Sequence, residues 1–502
     1  MLKIKKYNFI LFLIVLLGSI LRIYKLGSIP NGFFCDEASI GYNSYSLLSK
    51  GVDEWGKAWP IFFKAFGEFK GPIMIYSTIP FVYLFGLNQF SVRLVSVIYG
   101  IVTIIAIYFL AKQLFNRQIG ILSAFFLAIS PWHIHFSRVS LEGLTPFVFF
   151  TILATYFWLK FIKDKKLCYL SILFFCLAFY SYFPARIFIP LFFIFLILFS
   201  WNYLKTDFSK LTKLFIFGLI LISPMIIHLI SGDGLSRWQQ VKGDFTPLNL
   251  SKKYFDYFSV NFLFFQGDID FPTQFITRHS VRGVGELYLI QFPFIIISLY
   301  FLCKNKFKKE YLILFSWLFF YPFCDLFTSS TSPQSTRSII GVVPFQIFTS
   351  FGIYQLIKNS KNKIFKKIVF LIVIFLTFYS LNNYQKLYFQ KYSLYSSDYW
   401  GWQYGPKEIL SYFQSKQQDY DQLCLEGKFN APDIFIKFYD PNNLCVGKCQ
   451  VCGLGNLDQS KKQLFAISQE TYNQLNHQDY IIQHTIYYPN HQPAFYLVSY
   501  VK

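Results

Sequence analysis

Long apolar runs alternate with short polar connections through the first three quarters of this 502-residue chain. Eleven of these runs each contain about 16 to 21 residues, close to the length that an α-helix needs to cross a bilayer. The pattern predicts eleven transmembrane helices, near 8–24, 92–112, 119–136, 142–162, 167–182, 185–202, 213–230, 286–302, 311–327, 338–357 and 364–382.

A twelfth apolar run, 71–87, is interrupted by Pro80 and Gly86. Because its length is at the lower limit for a span, we predict that it lies in the outer membrane interface. The first run follows Lys3, Lys5 and Lys6 and so resembles a signal peptide. No small-residue cleavage site follows it, and we predict that it is retained as the first helix.

Lysine and arginine gather in alternate connections between the runs, where acidic residues are few. Such clusters mark the cytoplasmic side of a membrane protein. If 71–87 does not span, all of the clusters fall on the same side as the N-terminus, which is therefore predicted to be cytoplasmic. The clusters lie near 3–6, 112–117, 160–166, 205–213, 304–310 and 358–367.

This topology places three sizeable pieces outside the cytoplasm. Two are loops, 25–91 and 231–285, and both belong to a predicted transmembrane catalytic domain, 1–382. The third, 383–502, contains no apolar span and alternates short strand and helix patterns. It ends in YIIQHTIYYPNHQPAFYLVSYV, which is predicted to form a hairpin. It is predicted to be a small extracytoplasmic α/β domain.

Composition agrees with a multi-pass protein of the plasma membrane, since 54% of the residues are hydrophobic and 15% are charged. The formal net charge of +21 could suggest a nucleic-acid partner. However, the basic residues are divided among short connections instead of forming one soluble face, so they indicate topology and no nucleic acid is expected.

Four of the nine cysteines, Cys424, Cys445, Cys449 and Cys452, lie in the outer C-terminal region. Outside the cytoplasm this set favours two disulfides. A zinc site built from the same four thiolates is the alternative, because the spacing also suits tetrahedral coordination. Neither interpretation implies catalysis.

Polar residues that could bind a substrate or take part in a reaction concentrate on the predicted outer side. The acidic pair Asp36-Glu37 follows the first span by about a dozen residues and precedes an amphipathic segment, and Lys70 precedes the interfacial run. The others are His133, His135, Arg138 and Glu142 in or after SPWHIHFSR, Tyr182 and Arg186 in YSYFPAR, Asp268, Asp270, Arg278 and His279 in the second loop, and Arg337 in STSPQSTRS.

A carboxylate among cations at one membrane face suits the transfer of a sugar from a lipid phosphate. Arg and Lys can hold the phosphate that leaves, and a carboxylate can accept the proton of the attacking hydroxyl. The chain contains no phosphate-binding glycine loop of the Walker type, so the predicted donor is lipid-linked and no nucleotide is required.

The order of these motifs resembles the integral-membrane glycosyltransferases of family 39 type, which have the GT-C fold and include protein O-mannosyltransferases and lipid A aminoarabinose transferases. The shared elements, over about 1–350, are an apolar helix, DE, Lys-x-Pro, LFG-x-N-x-x-S-V-R, ISPWHIHFSR, a GD…RHS loop and a late Arg turn. Two departures stand out. Lys70-Gly71-Pro72 replaces the usual Lys-Pro-Pro, and the His often found before the later Arg is absent from 333–337.

The resemblance implies a GT-C-like protein of about eleven transmembrane helices, with interfacial helices, that transfers a sugar from polyprenyl phosphate at the outer face. Asp36 matches the catalytic acidic residue of the first loop, with Glu37 beside it to orient it or the acceptor, and Lys70 matches a phosphate contact. Further candidates for donor phosphate or substrate binding are Arg138, Arg278, His279 and Arg337, then His135, Tyr182, Arg186 and Asp268.

Simpler interpretations exist for several of these residues. Asp36-Glu37 could only cap the helix that follows, since carboxylates are favoured at a helix N-terminus. Arg93 is expected to be an interfacial anchor or part of a structural ion pair. His133 and His135 could form an interfacial packing cluster. Asp268 and Asp270 are expected first to shape a turn, although with His279 they could hold a divalent cation; no cofactor is otherwise predicted.

Other functions fit the pattern less well. A transporter should carry its ionisable residues on broken helices at mid-membrane, and a sensor or scaffold would not need eleven spans around one polar entrance. A polysaccharide polymerase or ligase that uses the same lipid carriers is the closest alternative. The sequence predicts an inverting hexosyl- or pentosyltransferase, and it leaves the sugar and the acceptor, whether lipid, glycan or protein, open.

Overall fold

The eleven predicted spans all coincide with helices in a computed structural model, which describes residues 2–161, 167–205, 208–243, 246–268, 275–304, 309–330 and 333–501. In these ranges six helices are long and apolar enough to cross a membrane, and a pair bent by 59° at Ser130 would form a seventh. The other four predicted spans are shorter apolar helices of 10–17 residues. The protein is an integral membrane protein of predominantly helical structure.

The bounds of the helices before the second outer loop are α1 Leu2–Ile23, α2 Cys35–Lys50, α3 Pro72–Phe85, α4 Gln89–Leu114, α5 Arg117–Ile129, α6 Pro131–Ser137, α7 Leu144–Phe161, α8 Leu167–Ser181, α9 Ala185–Phe199, α10 Trp201–Leu204 and α11 Phe208–Ile230. Two short strands, β1 Phe63–Ala65 and β2 Glu68–Lys70, form an antiparallel hairpin between α2 and α3.

The later helices are α12 Ser236–Val241, α13 Pro247–Asp256, α14 Gln291–Lys304, α15 Lys309–Phe320, α16 Phe323–Leu326, α17 Val342–Asn359, α18 Lys363–Lys386, α19 Ser393–Tyr395, α20 Pro406–Lys416, α21 Pro432–Tyr439 and α22 Gln469–Tyr472. The later strands are β3 Gln422–Leu425, β4 Cys449–Val451, β5 Gln463–Ser468, β6 Tyr480–Tyr487 and β7 Pro493–Tyr500.

Three helices, α4, α5 and α18, have an asparagine as the N-terminal capping residue. Asn88, Asn116 and Asn362 each accept a hydrogen bond from a backbone N–H in the first turn of α4, α5 and α18. These caps satisfy donors that have no partner within the helix. They explain why the spans begin abruptly at these positions after short polar connections.

Helix α3 is the one apolar segment that was predicted to lie in the interface. It has 14 residues, which at the usual helical rise gives a length of roughly 21 Å, less than the hydrocarbon core of roughly 30 Å. Its length alone leaves the interfacial position a prediction, because α14, a predicted span, also has 14 residues.

The two ends of the membrane helices differ in charge. Lys112, Lys160, Lys304 and Lys358 lie in the last turns of α4, α7, α14 and α17, and Lys363 opens α18. The opposite ends of these helices adjoin α2, α3, α6 and the C-terminal region. Glu37 pairs with Arg93 near the start of α4, so the acidic pair lies at the opposite end of α4 from Lys112.

The C-terminal region contains a five-stranded mixed sheet in the order β4-β3-β5-β7-β6. β3 is parallel to β4 and β5, whereas β7 is antiparallel to β5 and β6. The antiparallel pair β6 and β7 is the hairpin predicted from the sequence. Disulfides Cys424–Cys452 and Cys445–Cys449 join the four outer cysteines, which agrees with the favoured interpretation.

This C-terminal region packs directly on the first outer loop through α21 and α2. The rings of Phe438 and Phe33 lie 4.8 Å apart, and the Gln89 amide donates to the Tyr439 hydroxyl at 2.9 Å. Gly41 permits the close approach, because a Cβ there would lie 2.6 Å from the Phe438 ring. The contact places the C-terminal region beside the start of α2, where Asp36 lies.

Candidate active site

The acidic pair lies in the first turn of α2, which begins at Cys35. Carboxylates are favoured there because the helix dipole presents partial positive charge at its N-terminus. Backbone N–H groups of the first turn also point towards this end. The simple capping interpretation is therefore compatible with the structure, but the two carboxylates have different partners.

Asp36 forms an ion pair with Lys70, the last residue of β2. The Asp36 side chain is 18% exposed, whereas the Lys70 side chain is only 5% exposed. Burial alone would raise the pKa of Asp36, but Lys70 and Arg278 outweigh it and hold the pKa below its usual value. Although burial opposes it, Asp36 and the nearby Glu142 and Glu68 raise the pKa of Lys70, so both partners are charged at neutral pH.

Gly71 allows β2 to reach this position. A Cβ at residue 71 would lie 2.0 Å from the carbonyl oxygen of Tyr180, so only glycine fits against the end of α8. Pro72 then begins α3 at a position where its missing N–H costs nothing. The departure from Lys-Pro-Pro that the sequence shows therefore has a packing reason here.

Arg278 completes the surroundings of Asp36. Its guanidinium carbon lies 3.8 Å from the centre of the Phe34 ring, two residues before Asp36. One of its N–H groups donates to the Trp400 carbonyl at 2.7 Å. Arg278 thus joins the second outer loop, the start of α2 and the C-terminal region around one carboxylate.

Glu37 is fully buried and has all of its interactions within the protein. Its two oxygens accept from Nε and Nη2 of Arg93 at 2.9 and 3.0 Å. Backbone N–H groups of Phe34 and Ser140 also donate to it, at 3.3 and 3.1 Å. The remaining N–H groups of Arg93 donate to the carbonyls of Leu26, Pro30 and Gly32. Glu37 and Arg93 therefore stabilise the conformation of the loop that precedes Asp36.

Arg138 and His135, both candidates for substrate binding, are also occupied. All five N–H groups of Arg138 have partners, namely the Tyr388 hydroxyl and the carbonyls of Leu21, Arg22, Tyr24 and Ile29. His135 Nε2 lies 2.7 Å from the Arg278 carbonyl. Arg138 thus supports the loop after α1, whereas His135 Nδ1 has no hydrogen-bond partner among the described residues and the ring borders a small cavity beside His279.

A narrow polar cavity adjoins the Asp36–Lys70 pair. Tyr182 and Arg186, both predicted from the sequence, lie on its wall. Arg186 donates to the Gly234 carbonyl at 3.1 Å, and its Nε has no hydrogen-bond partner among the described residues. We call this space the polar cavity; its charged and hydroxyl-bearing walls are Glu68, Lys70, Glu142, Tyr182, Arg186 and Arg237.

Two residues of the polar cavity were not predicted, Glu68 and Arg237. Arg237 Nε lies 3.1 Å from a carboxylate oxygen of Glu68. Burial, and then the negative charge of Glu142, raise the pKa of Glu68 to about 7. Glu68 is adjacent to the predicted Lys70 motif, which is the one local signal that could have identified it. Arg237 lies in a short polar helix with no such signal.

Arg337 lies at the far side of Tyr182 and is bound to a second buried carboxylate. Its Nη1 donates to Asp325 at 2.5 Å and to the Thr328 hydroxyl at 2.6 Å. Lys253 and the Tyr257 hydroxyl also contact Asp325, at 3.1 and 2.6 Å. Arg337 therefore helps to join α13 to the loop before α17, and about a fifth of its side chain stays exposed.

Asp268 accepts hydrogen bonds from the Ser280 hydroxyl and from the N–H and hydroxyl of Ser335. His279 Nδ1 lies 3.3 Å from Asp268, and Asp270 lies outside the described residues. Ser280 and Ser335 are 12 and 67 residues from Asp268 along the chain, so Asp268 joins distant segments and its role in a turn stays a prediction. In the described residues the one cluster with metal-ligand spacing is Asp440, Cys445 and Cys449, whose two sulfurs are joined as a disulfide.

An apolar cavity of about 290 Å³ lies deeper in the bundle. Its walls come from α8 between Cys168 and Phe179, from α9 between Ile189 and Ile197, and from α11 between Leu214 and Ile222. The next residues of α8 and its connection to α9, Tyr180 to Phe183, line the polar cavity. The C-terminal end of α8 therefore lies between the apolar cavity and the polar cavity.

Comparison with known proteins agrees with this architecture. The family described as dolichyl-phosphate-mannose-protein mannosyltransferase matches residues 70–228, which contain Lys70, Glu142, Tyr182 and Arg186. No curated protein sequence matches the chain.

Crystal structures of ArnT from Cupriavidus metallidurans are similar over 97% of both chains at 10% identity, with TM-scores of 0.61 for the apo state and 0.60 for the form bound to undecaprenyl phosphate. The chain has the GT-C fold. The archaeal oligosaccharyltransferase AglB from Archaeoglobus fulgidus, in complex with an inhibitory peptide and a dolichol-phosphate, is similar at a TM-score of 0.52 and 12% identity over 85% of this chain and 62% of AglB. The resemblance predicted from the sequence motifs is confirmed.

Proposed function

We propose that this GT-C protein is a glycosyltransferase that moves a sugar from a polyprenyl-phosphate carrier to an acceptor at the outer face of the membrane. The observation that carries the proposal is the position of the Asp36–Lys70 pair. It lies beside a polar cavity that contains three cations, and that cavity adjoins an apolar cavity within the bundle.

The two cavities suit the two parts of such a donor. Lys70, Arg186 and Arg237 can hold a phosphate, since guanidinium groups donate to its oxygens and a lysine supplies a point charge. The apolar walls of α8, α9 and α11 can contact an isoprenoid chain. Similar folds with undecaprenyl phosphate bound to ArnT and dolichol-phosphate bound to AglB support a carrier of this chemical class.

In the proposed reaction, Asp36 is the general base. An acceptor oxygen attacks the anomeric carbon, and the bond from that carbon to the phosphate oxygen breaks. The bonding electron pair leaves with the polyprenyl phosphate, and the acceptor proton passes to a carboxylate oxygen of Asp36. Attack from the side opposite the phosphate inverts the configuration, in agreement with the prediction of an inverting hexosyl- or pentosyltransferase.

Lys70 links donor binding to activation of the base. Without a donor it pairs with Asp36 and lowers the pKa of that carboxyl, which makes Asp36 a weak base. A phosphate in the polar cavity would compete with Asp36 for the lysine, because the phosphodiester of the donor carries one negative charge over two oxygens that can accept charge-assisted hydrogen bonds. Asp36 would then lose its main cationic partner, and its pKa would rise towards a value better suited to accepting a proton.

The charge of the helix ends supports an outer position for the site. Lysines mark the ends remote from Asp36, and such clusters remain in the cytoplasm. The N-terminus is then cytoplasmic and the C-terminal region extracytoplasmic, where its disulfides are stable. We assign 1–382 to the catalytic domain and 383–502 to the outer α/β domain, and the proposal requires no cofactor.

The proposal can be tested with the purified chain in lipid nanodiscs. Undecaprenyl phosphate serves as the probe for donor binding, measured by native mass spectrometry. The Lys70→Ala variant should bind it at least tenfold more weakly. Lys64→Ala, an exposed lysine on β1 of the same hairpin, is the matched control and should bind as the unmodified chain does.

Sugar transfer is measured separately. Polyprenyl-phosphate sugars extracted from cell membranes are incubated with the protein, and release of the sugar is followed by mass spectrometry. Asp36→Asn should still bind undecaprenyl phosphate but should lose roughly 10² to 10⁴-fold in rate, the usual contribution of a general base. Unchanged release by this variant would contradict the assignment of Asp36. A product with a repeating glycan would favour the polymerase alternative.

A further inference from the structure

A third cavity lies between the segment after α19 and the C-terminal sheet. Its volume is about 670 Å³, within the range of small-molecule sites. Six aromatic side chains and one buried amide contribute to its walls, and we call it the aromatic cavity. The residues on which the argument depends are Tyr399, Trp400, Gln403, Tyr404, Tyr488 and Phe495.

Resting on the proposed transferase function, we propose that the aromatic cavity binds a neutral saccharide portion of the acceptor and thereby directs its hydroxyl to Asp36. No part of the proposed donor site lies in this cavity. The proposal names the chemical class of the acceptor, which the catalytic residues alone leave open.

A buried amide in the cavity wall has no partner. Gln403 is 1% exposed, and neither its amide nitrogen nor its amide oxygen has a hydrogen-bond partner among the described residues. Such groups are rare in folded proteins, because burial removes water without replacing its hydrogen bonds. Gln403 also has a left-handed backbone, with φ of 53°, a strained conformation for a side-chain-bearing residue. A ligand with hydroxyl groups would supply both a donor and an acceptor.

The aromatic side chains provide the second requirement for a sugar, namely faces against which its C–H groups can pack. Trp400 and Tyr399 remain 50% and 44% exposed, although large aromatic side chains usually bury more of their surface. Phe275 lies 5.9 Å from Trp400, at a tilt of 35°, and extends this surface. Aromatic rings can pack against the C–H groups of a sugar, and a nearby amide can hydrogen-bond to its hydroxyl groups. The cavity wall supplies both.

Charge distinguishes a neutral saccharide from an anionic acceptor. The charged residues of the wall, Lys428 and Glu470, form a salt bridge of 2.8 Å with each other. Their charges therefore cancel locally, and the other polar residues of the wall are uncharged, for example Ser468, Gln469 and Asn473. A phosphate-rich headgroup would find no unpaired cation in the cavity walls, whereas hydroxyl groups would find amides and a hydroxyl.

Position links the aromatic cavity to the reaction. The Trp400 carbonyl accepts from Arg278, whose guanidinium stacks on Phe34 at the start of α2. The Asp398 carboxylate accepts from Thr277 at 2.7 Å on the same loop. One residue, Arg278, therefore separates the cavity wall from the surroundings of Asp36, so a saccharide chain bound there can extend one hydroxyl towards the base.

The test uses the full chain in nanodiscs and three neutral trisaccharides as probes, mannotriose, maltotriose and triacetylchitotriose. Binding is measured by saturation-transfer NMR titration. At least one probe should bind, and Trp400→Ala, which keeps the backbone carbonyl, should weaken that binding at least tenfold. Trp55→Ala is the control, because Trp55 is also an exposed tryptophan, at 61% against 50% for Trp400, and it lies on another segment; it should change the affinity by less than twofold.

A second variant, Tyr488→Ala, should also weaken binding, and the thermal midpoints of both variants should match that of the unmodified chain. Absence of binding by all three probes, or equal binding by Trp400→Ala, would overturn the proposal. Trp400-dependent binding of a neutral hexapeptide in place of the sugars would overturn the saccharide class.

Two results separate this inference from the transferase proposal. Binding of undecaprenyl phosphate and Asp36-dependent sugar release, without saccharide binding, would overturn the aromatic cavity as an acceptor site and leave the transferase. Trp400-dependent saccharide binding by a chain that neither binds undecaprenyl phosphate nor releases sugar would overturn the transferase, and with it the acceptor role.

Discussion

Asp36 and Glu37 are adjacent in the sequence, but their surroundings differ. Asp36 pairs with a single lysine beside a cavity and keeps 18% of its side chain exposed. Glu37 is fully buried, and its two oxygens are shared among Arg93 and two backbone N–H groups. All of the hydrogen bonds that Glu37 can accept come from the protein, so its role is to stabilise the fold. Asp36 has one main cationic partner, Lys70, for which a bound ligand could compete.

The same contrast separates the arginines. Arg93 and Arg138 each have all five N–H groups engaged, mostly by backbone carbonyls between residues 21 and 32. Arg186 and Arg237 line the polar cavity instead. We therefore expect substitutions at the filled groups to affect folding and those at the open groups to affect substrate binding.

The largest effect on stability is expected for Glu37→Gln. Removing the negative charge leaves the Arg93 guanidinium buried without its counter-ion, which in other proteins costs about 3–5 kcal/mol. Thermal unfolding of the purified protein, followed by tryptophan fluorescence, should show a much lower midpoint. Asp36→Asn is the matched comparison and should shift the midpoint less, because Asp36 is 18% exposed and Lys70 keeps Glu142 and Glu68 nearby. Equal shifts for the two variants would contradict the division between a structural and a catalytic carboxylate.

A smaller effect is expected for Arg93→Lys. Lysine keeps the charge but cannot make the two parallel hydrogen bonds to Glu37 or reach the Leu26, Pro30 and Gly32 carbonyls together. Unpaired buried groups cost about 1–3 kcal/mol each, part of which the lysine recovers. The midpoint should fall less than for Glu37→Gln. A midpoint equal to that of the unmodified chain would show that only the charge of Arg93 matters.

Features that depend on residues close together in the sequence were predicted, and features that depend on contacts between distant residues were not. The eleven helices follow from local apolar runs, and the hairpin β6–β7 from local alternation, so both were found. Asp36 and Lys70 were predicted because their motifs are local too. Glu37 was grouped with Asp36, since nothing nearby in the sequence separates two adjacent acids; the distinction comes from Arg93 and the Ser140 N–H, which are distant along the chain.

Other differences have the same origin. The sequence suggested Arg138 as a phosphate contact because a charge near a membrane boundary needs a partner. The reasoning was correct, but the partners are backbone carbonyls of residues 21–29, which no side-chain pattern reveals. Arg237 was missed because it reaches Glu68 only through the packing of α12 on β2.

The smallest expected effect concerns pH and the polar cavity. The pKa of Glu68 is raised to about 7, so the folded protein holds this proton more tightly than the unfolded chain, whose pKa is 4.5. The contribution of Glu68 to stability is therefore greatest below pH 4.5 and is lost as pH rises to about 7. Over the same range the carboxyl becomes negative beside Lys70, Arg186 and Arg237 and opposes a bound phosphate.

Undecaprenyl phosphate binding should accordingly weaken in the unmodified chain relative to Glu68→Gln as pH rises from 6 to 8, by roughly fivefold, or about 1 kcal/mol. The comparison with Glu68→Gln is essential, because the phosphate of the probe also titrates near pH 6. Its own ionisation affects both proteins alike and cancels in the ratio of the two affinities. A ratio that stays constant from pH 6 to 8 would show that Glu68 does not change its charge beside the donor.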